Sequence, residues 1–472
     1  MSSLSLPAQY PAHAISSQKK RIAKLTLWPL VAATFFMVSG GTYGTEEIVS
    51  GAGYGHGILI LLFLPVLWCL PTAFMIGELS SALPEEGGYY AWVRRGLGNF
   101  WGFQEAWLSL AASIFDMAIY PTLFVFYLKQ MSPWFGVGNH GVLAGLFVVI
   151  TCAALNLAGI RVVGITSLWL FFLLSAPFAV IVLLAPVRAG ALAAAPHATE
   201  AGAGLGLLGG VLVAMWNYMG WDNASTIAQE VERPQRTYPR AMIAAVILVS
   251  LTYILPFAAV YFMGVPATAF AEDGSWATVA GLVGGKIMGF EWLRFVVVLG
   301  GMMSGFGMFN ALVMSYSRLP LAMARDGMLP KTFAKTSART QAPWVAIIAC
   351  ATCWALCLGL GFKRLVTLDI MLYGAALILE FVTLVALRIR EPQLKREFRV
   401  PGGLAGAILA GVFPLALLMI ALVQSESQSV LGINGLFFGV LIMAAGFALY
   451  ASTRKLRKRL PEDVTAEVVE PA

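Results

Sequence analysis

The sequence predicts an all-α integral membrane protein of about twelve transmembrane helices, arranged as an inverted five-plus-five repeat with two extra helices after it. Three observations predict this. Of 472 residues, 59% are hydrophobic and only 12% charged, where a soluble domain carries about 25% charged residues. Apolar stretches of about 20 residues, long enough to span a bilayer, recur along the whole length. Two of these stretches, the first and the sixth, are interrupted mid-span by glycines and polar residues.

In order, the first stretch covers residues 25–49. It is apolar through Val38 and then reads Ser39-Gly40-Gly41-Thr42-Tyr43-Gly44-Thr45 before two adjacent acids, Glu46 and Glu47. Glycines at that density expose backbone N–H and C=O groups, which are tolerated in hydrocarbon only where protein or a water-filled path satisfies them. The second stretch is 58–83. The third, 100–131, places Asp116 one helical turn before Tyr120, with Pro121 next; the proline removes an N–H and leaves the Met117 carbonyl without its usual partner. Acid, phenol and freed carbonyl form a candidate cation-binding face, the alternative being a kink at which Asp116 caps local backbone. The fourth and fifth stretches are 141–158 and 162–186. The sixth, 207–228, contains Trp216-Asn217-Tyr218-Met219-Gly220-Trp221-Asp222-Asn223, a second polar, glycine-containing break followed by a carboxylate. Breaks at positions one and one plus five are the mark of an inverted repeat with its site at the midplane. Stretches 241–263, 293–322, 345–361 and 366–387 complete the second five, and 404–423 and 431–451 fall outside the repeat.

Charge sets the topology. With loops assigned by alternation, all but six of the 31 Lys and Arg fall on one side, the six being Lys129, Arg188, Lys286, Arg294, Lys363 and Arg364. Both termini are therefore expected in the cytoplasm. The expected division is a tail at 1–23, a transporter core at 24–388 with halves at about 24–186 and 207–388, a last loop and two helices at 389–452, and a tail at 453–472. The net charge of +7 reflects topology and anionic headgroups, since no basic segment carries base-stacking aromatics that would suit nucleic acid. The basic run 454–459 reads as a topology anchor, and Lys19-Lys20-Arg21 belongs to a retained helix, not a cleaved signal.

Catalysis has no visible apparatus. His13, His56, His140 and His197 are far apart and show no metal-ligand spacing, and there is no nucleotide-binding glycine loop and no nucleophile triad. Cys350, Cys353 and Cys357 share a helical face but lack a nearby His, so packing is the better reading. The expectation is a non-enzyme without cofactor or metal, in which any uphill transport draws on an ion gradient. Each acid near a helix centre costs about 2.5 to 3.5 kcal/mol on the insertion scale, and Lys and Arg lie almost entirely at the loops. Glu46 or Glu47, Asp116 and Asp222 therefore need protons, hydrogen bonds, water or a cationic substrate; neutral hydrogen-bonded packing is the alternative for each. Trp216, one turn before Gly220, is the better aromatic gate candidate of the Trp216 and Trp221 pair.

The stretch Gly77-Glu78-Leu79-Ser80-Ser81-Ala82-Leu83-Pro84-Glu85-Glu86-Gly87-Gly88-Tyr89-Tyr90-Ala91-Trp92 resembles the signature after the second helix of the amino acid-polyamine-organocation superfamily. Within it, VSGGTYGTEE, FDMAIYPTLFVFYLK, WNYMGWDNASTIAQEVERP and LAMARDGMLPKTFAK are most similar to plant-type polyamine uptake transporters and L-type amino acid transporters. The resemblance implies a leucine-transporter-type fold, alternating access, and proton-coupled uptake across the cell membrane. It also implies that Gly40 to Gly44 offer backbone groups to substrate, that Trp216 is the aromatic gate, that Asp222 takes the acidic position after the sixth-helix break, and that Glu46, Glu47 and Asp116 match acids of the polyamine branch. Two positions depart from that pattern: Gly220 stands where the plant proteins carry tyrosine, and no lysine occurs within 162–186.

The candidate substrate-binding residues are thus Ser39, Gly40, Gly41, Thr42, Gly44, Glu46, Glu47, Asp116, Tyr120, Trp216, Asn217, Gly220, Trp221 and Asp222. They suggest an importer of polyamines or other cationic amines in the lipid bilayer, as monomer or homodimer, with H+ as coupling ion. An L-amino acid permease or exchanger is the alternative, and a channel or membrane sensor a third reading.

Overall fold

Two long apolar helices are cut where the glycines fall, and the rest of the bundle is built around the cuts. The computed structural model describes residues 24–85, 87–187, 189–190, 206–270, 275–285, 292–359, 362–425, 429–430 and 433–453. The tail 1–23 with its basic cluster and His13, the residues Glu86, Arg188, His197 and Lys286, and the run 454–459 lie outside the described residues, as do the side chains of Lys363 and Arg364.

The first broken helix is α1 (Leu27–Val38), a non-helical link, and the start of α2 (Glu46–Leu64). Gly53, at φ 72 and ψ 168, interrupts α2, so only its first turns continue α1. Beyond that kink the chain runs on through a π-turn at Pro65–Cys69 into α3 (Leu70–Ala82). A short amphipathic helix, α4 (Tyr89–Leu97), was not expected; Gly98 turns it into the 33-residue α5 (Asn99–Met131), about 50 Å long. Next come α6 (His140–Leu157) and α7 (Ile160–Leu184). The second broken helix is α8 (Gly206–Asn217), a turn at Gly220, and a 3-10 segment at Trp221–Glu230.

Pro234 opens α9 (Pro234–Met263), as a first-turn proline suits a helix start, and Gly264 closes it. The short α10 (Trp276–Val283) is capped by the Ser275 hydroxyl, which accepts the Ala277 N–H at 3.2 Å. The expected stretch 293–322 divides at Ser317 into α11 (Trp292–Tyr316) and α12 (Arg318–Arg325). The remaining helices are α13 (Trp344–Leu356), α14 (Phe362–Arg390), α15 (Gly403–Ser425) and α16 (Gly435–Ser452). A two-residue hairpin, Ser429–Val430 with Ile433–Asn434, precedes α16, so the last helix starts four residues later than its apolar stretch.

Among the described residues, seven helical stretches are long and apolar enough to cross a membrane, and four apolar helices are shorter. Two of the expected spans fall short because the breaks end their helices, at Val38 and Asn217. The two broken helices pack against each other, α1 on the 3-10 segment and α2 on α8, and α5 lies against α4, α6, α11, α14 and α16. Glycines on α11 let it approach closely: a Cβ on Gly305 would stand 2.5 Å from the Tyr120 carbonyl oxygen.

Candidate substrate site

The breaks can exist inside the bundle because their backbone groups are satisfied. In the first, the Gly41 N–H donates to Ser39 Oγ at 3.0 Å, Ser304 Oγ donates to the Gly40 carbonyl at 2.6 Å, and Thr45 Oγ1 donates to the Thr42 carbonyl. In the second, Tyr253 Oη donates to the Asn217 carbonyl at 2.8 Å, and the indoles of Trp68 and Trp221 both donate to the Tyr218 carbonyl. Asn217 ties the breaks together, its Nδ2 donating to the Gly44 carbonyl at 3.1 Å and to the Val213 carbonyl at 2.9 Å. Gly220 is at φ 86, and a Cβ there would meet the Met37 carbonyl oxygen at 2.6 Å. Only glycine lets the two broken helices touch at this point.

Beside this contact lies a small cavity lined by Met37, Val38, Asp116, Tyr120, Trp216, Asn217, Met219, Gly220, Met308, Tyr316, Asp369 and Tyr373. It measures about 10 Å3, room for about one water molecule. Asp116 is its most elaborately held acid. Tyr120 Oη donates to Asp116 Oδ1 at 2.6 Å, Trp216 Nε1 reaches the same oxygen at 3.4 Å, and Tyr316 Oη donates to Oδ2 at 3.3 Å. The Tyr120 and Trp216 rings stack at 6.2 Å. Among the described residues, no Lys, Arg or His lines the cavity. Helices α1 and α8 both end at its wall, and a helix C-terminus presents partial negative charge.

Five of the fourteen sequence-derived residues therefore share the cavity wall: Asp116, Tyr120, Trp216, Asn217 and Gly220. Asp222 stands one residue behind it, receiving Tyr373 Oη on Oδ1 at 2.6 Å, while the Gly220 N–H donates to Tyr373 Oη at 3.1 Å. Ser39, Gly40, Gly41, Thr42 and Gly44 form the adjoining link, with Gly44 facing the Trp216 ring. Glu46 is buried away from the cavity and accepts the Tyr127 hydroxyl, whereas Glu47 is half-buried. Trp221 is buried on the far side of the break, against Tyr218.

Asp369, Tyr316 and Tyr373 belong to the wall and were missed by the reading of the sequence. The signal was present: Asp369 and Tyr373 repeat the four-residue spacing of Asp116 and Tyr120. Equally unread were Glu105 on α5 and Glu380 on α14, both fully buried.

A broken-helix bundle around a buried polar cavity is the architecture of a membrane transporter. The chain belongs to the amino acid permease family, which it matches over residues 31–447, and is thus a multi-pass membrane transporter, as its motifs suggest. It is 34% identical over 421 residues to polyamine transporter RMV1 of Arabidopsis thaliana, an alignment covering 87% of this chain and 82% of the relative. It is also 34% identical over 429 residues to polyamine transporter PUT1 of Oryza sativa subsp. japonica, covering 89% and 78%. The serine/threonine exchanger SteT of Bacillus subtilis is more distant, 24% identical over 388 residues, covering 81% and 86%.

Proposed function

We propose that this chain imports polyamines or other cationic amines by proton-coupled alternating access across the cell membrane. The observation that carries the reading is the cavity lining: Asp116 and Asp369, four aromatic rings, and no basic side chain among the described residues. An ammonium group offsets the buried carboxylates, and a desolvated cation over an aromatic face gains about 2 kcal/mol. The two plant polyamine transporters, each 34% identical over most of the chain, support the same substrate class.

In this reading Asp116 and Asp369 hold an ammonium, Tyr120, Trp216, Tyr316 and Tyr373 surround it, and Asp222 adds negative charge through Tyr373. The link Ser39 to Gly44 borders the site with Asn217 and Gly220, Glu46 and Glu47 stand on the approach beyond it, and Trp221 props the break from behind. The cavity is too small for a diamine, so uptake requires the broken helices to part. In the same reading the chain has about twelve spans, with halves at 24–186 and 207–388, helices eleven and twelve outside them, and both termini cytoplasmic in a monomer or homodimer.

The alternative, an L-amino acid permease or exchanger, has a relative in SteT. It would seat the substrate carboxylate on N–H groups at a helix N-terminus. Here the first turns after both breaks already hold acids, Glu46 and Glu47 at the head of α2 and Asp222 at the head of the 3-10 segment. Those acids repel an anion and favour the cation.

The test is uptake of labelled putrescine, spermidine, leucine and arginine by the purified protein in liposomes. Saturable putrescine and spermidine uptake that leucine does not compete with is the expected result. Leucine uptake unaffected by spermidine would sink the reading.

A further inference from the structure

Helices α5 and α14 each carry a second buried acid the substrate site does not use. Glu105 lies eleven residues before Asp116 on α5, and Glu380 lies eleven residues after Asp369 on α14. Eleven residues make three helical turns and about 16 Å, so each acid falls on the same helical stripe as its cavity partner. The two helices pack along their length. They bring Asp116 and Asp369 to one cavity wall, and three turns away they carry Glu105 and Glu380 within electrostatic range of each other and of Asp222.

This second meeting point is unfinished in its hydrogen bonding. Ser109 Oγ donates to Glu105 Oε1 at 3.2 Å and also stands by the Tyr89 hydroxyl, but among the described residues Glu105 Oε2 and Glu380 Oε2 are buried without a hydrogen-bond partner. Tyr89 enters from α4, is fully buried, and faces the carboxylates of Asp222, Glu105 and Glu380. Tyr373, seven residues and about two turns before Glu380, joins Asp222 to the cavity wall. The neighbours α15 and α16 bring no ionisable side chain except Tyr450 near the end of α16, which rests on Phe100 and Phe103. Arg94 and Arg95 on α4 are turned to Asp326 and Glu391. No base neutralises the pair among the described residues.

We propose that Glu105 and Glu380, with Tyr89, form the proton-coupling site of the transporter, separate from the carboxylates that hold substrate. One proton binds as a carboxyl O–H on one glutamate and is shared toward the other's carboxylate, so the charge of the pair changes from −2 to −1. When the opposite side opens, that proton leaves to water and the pair returns to −2. Because ammonium and proton occupy different acids, neither displaces the other, and the two travel together. The relay of Tyr373 and Asp222 makes each charge sensitive to the other. Two buried carboxylates without a counter-ion are unfavourable, and a proton is the one cation that fits where the side chains are packed.

The inference rests on the proton-coupled reading above, and the experiment separates the two. Liposomes holding wild type, Glu105→Gln, Glu380→Gln or Tyr89→Phe would be assayed for putrescine exchange without a pH gradient, for accumulation driven by a pH gradient, and for substrate-evoked pH change inside the vesicle. The expected result for each glutamine variant is exchange within about twofold of wild type, with accumulation and proton movement reduced by about tenfold or more. Tyr89→Phe, which removes one hydroxyl and no bulk, is expected to keep exchange and shift the pH dependence of accumulation. Wild-type proton movement that persists in both glutamine variants would overturn the proposal alone. Loss of exchange together with accumulation, in protein that stays folded and monodisperse, would also overturn it. Wild-type substrate uptake with no proton movement would overturn the coupling reading and this site with it.

Discussion

Two parts of this molecule bury carboxylates, and they do so under opposite rules. At the arginine-rich end of the bundle, Glu78 on α3 is fully buried and fully answered. Arg388 Nε donates to its Oε1 at 2.9 Å, Arg396 Nε approaches the same oxygen at 3.2 Å, and the Val400 N–H donates to Oε2 at 2.7 Å. In the middle of the bundle, Asp116 and Asp222 are also buried but receive only phenols, an indole and backbone among the described residues, and Asp369 is buried beside them in the cavity wall. The first arrangement is complete within the chain and holds α3, α14 and the following loop together. The second lacks a positive charge, and a substrate can supply it. Burial alone therefore does not point to a cation; in the proposed reading, burial of an acid without a base does.

The largest expected effect breaks the first region. Glu78→Gln leaves Arg388 and Arg396, both at least nine-tenths buried, without their counter-ion, and removing one partner of a buried pair costs about 3–5 kcal/mol. Thermal unfolding of the detergent-solubilised variant should show that loss, with expression lowered to match. The opposite result is expected for Asp116→Asn. It removes a charge that has no basic partner and keeps an acceptor for Tyr120, so melting should be unchanged or raised. Putrescine uptake should nevertheless fall about 100-fold or more, equivalent to about 2.7 kcal/mol. If Asp116→Asn instead unfolds the protein while uptake per folded molecule survives, the two regions do not differ in kind.

The sequence carried much of this difference, unevenly. Both breaks were legible, because glycine and polar residues inside an apolar stretch free backbone groups that hydrocarbon cannot satisfy, and α1 and α8 end where those residues begin. The Asp116 and Tyr120 pair was legible from its spacing, which puts both side chains on one face. Asp369 was not, because the apolar stretch 366–387 placed it at a helix start, whereas α14 begins at Phe362 and carries it two turns inward. Helices α4 and α10 were missed because each is shorter than a span and neither forms a separate apolar stretch of spanning length. The orientation of Trp221 depends on the turn at Gly220, and Glu46 is distinguished from Glu47 by Tyr127, 81 residues away. Such choices are made by tertiary contact, which no local pattern encodes.

A substitution that alters position without charge sharpens the comparison further. Gly220→Ala would force a left-handed residue to carry a Cβ 2.6 Å from the Met37 carbonyl oxygen, at a cost of about 1–3 kcal/mol. It displaces the partner of Tyr373 without touching an acid. Uptake should therefore fall less than in Asp116→Asn, and a larger fall would mean that geometry outweighs charge at the site.

The smallest effect is expected where an acid is paired but only half-buried. Glu391 receives Arg95 on both oxygens, at 3.1 and 2.8 Å, and the hydrogen bond from Arg95 holds its carboxyl below the ordinary carboxylate range. A depressed carboxyl contributes stability above its unfolded value of about 4.3 and loses that contribution as pH falls through the folded value. Since solvent screens the pair, Glu391→Gln should cost about 0–1 kcal/mol at neutral pH. The melting curves of wild type and variant should converge as pH falls through the depressed folded value, where Glu391 of the wild type takes up a proton. A gap as large as that of Glu78→Gln would mean that charge pairing at the arginine-rich end acts as one network, and that exposure does not set what each pair contributes.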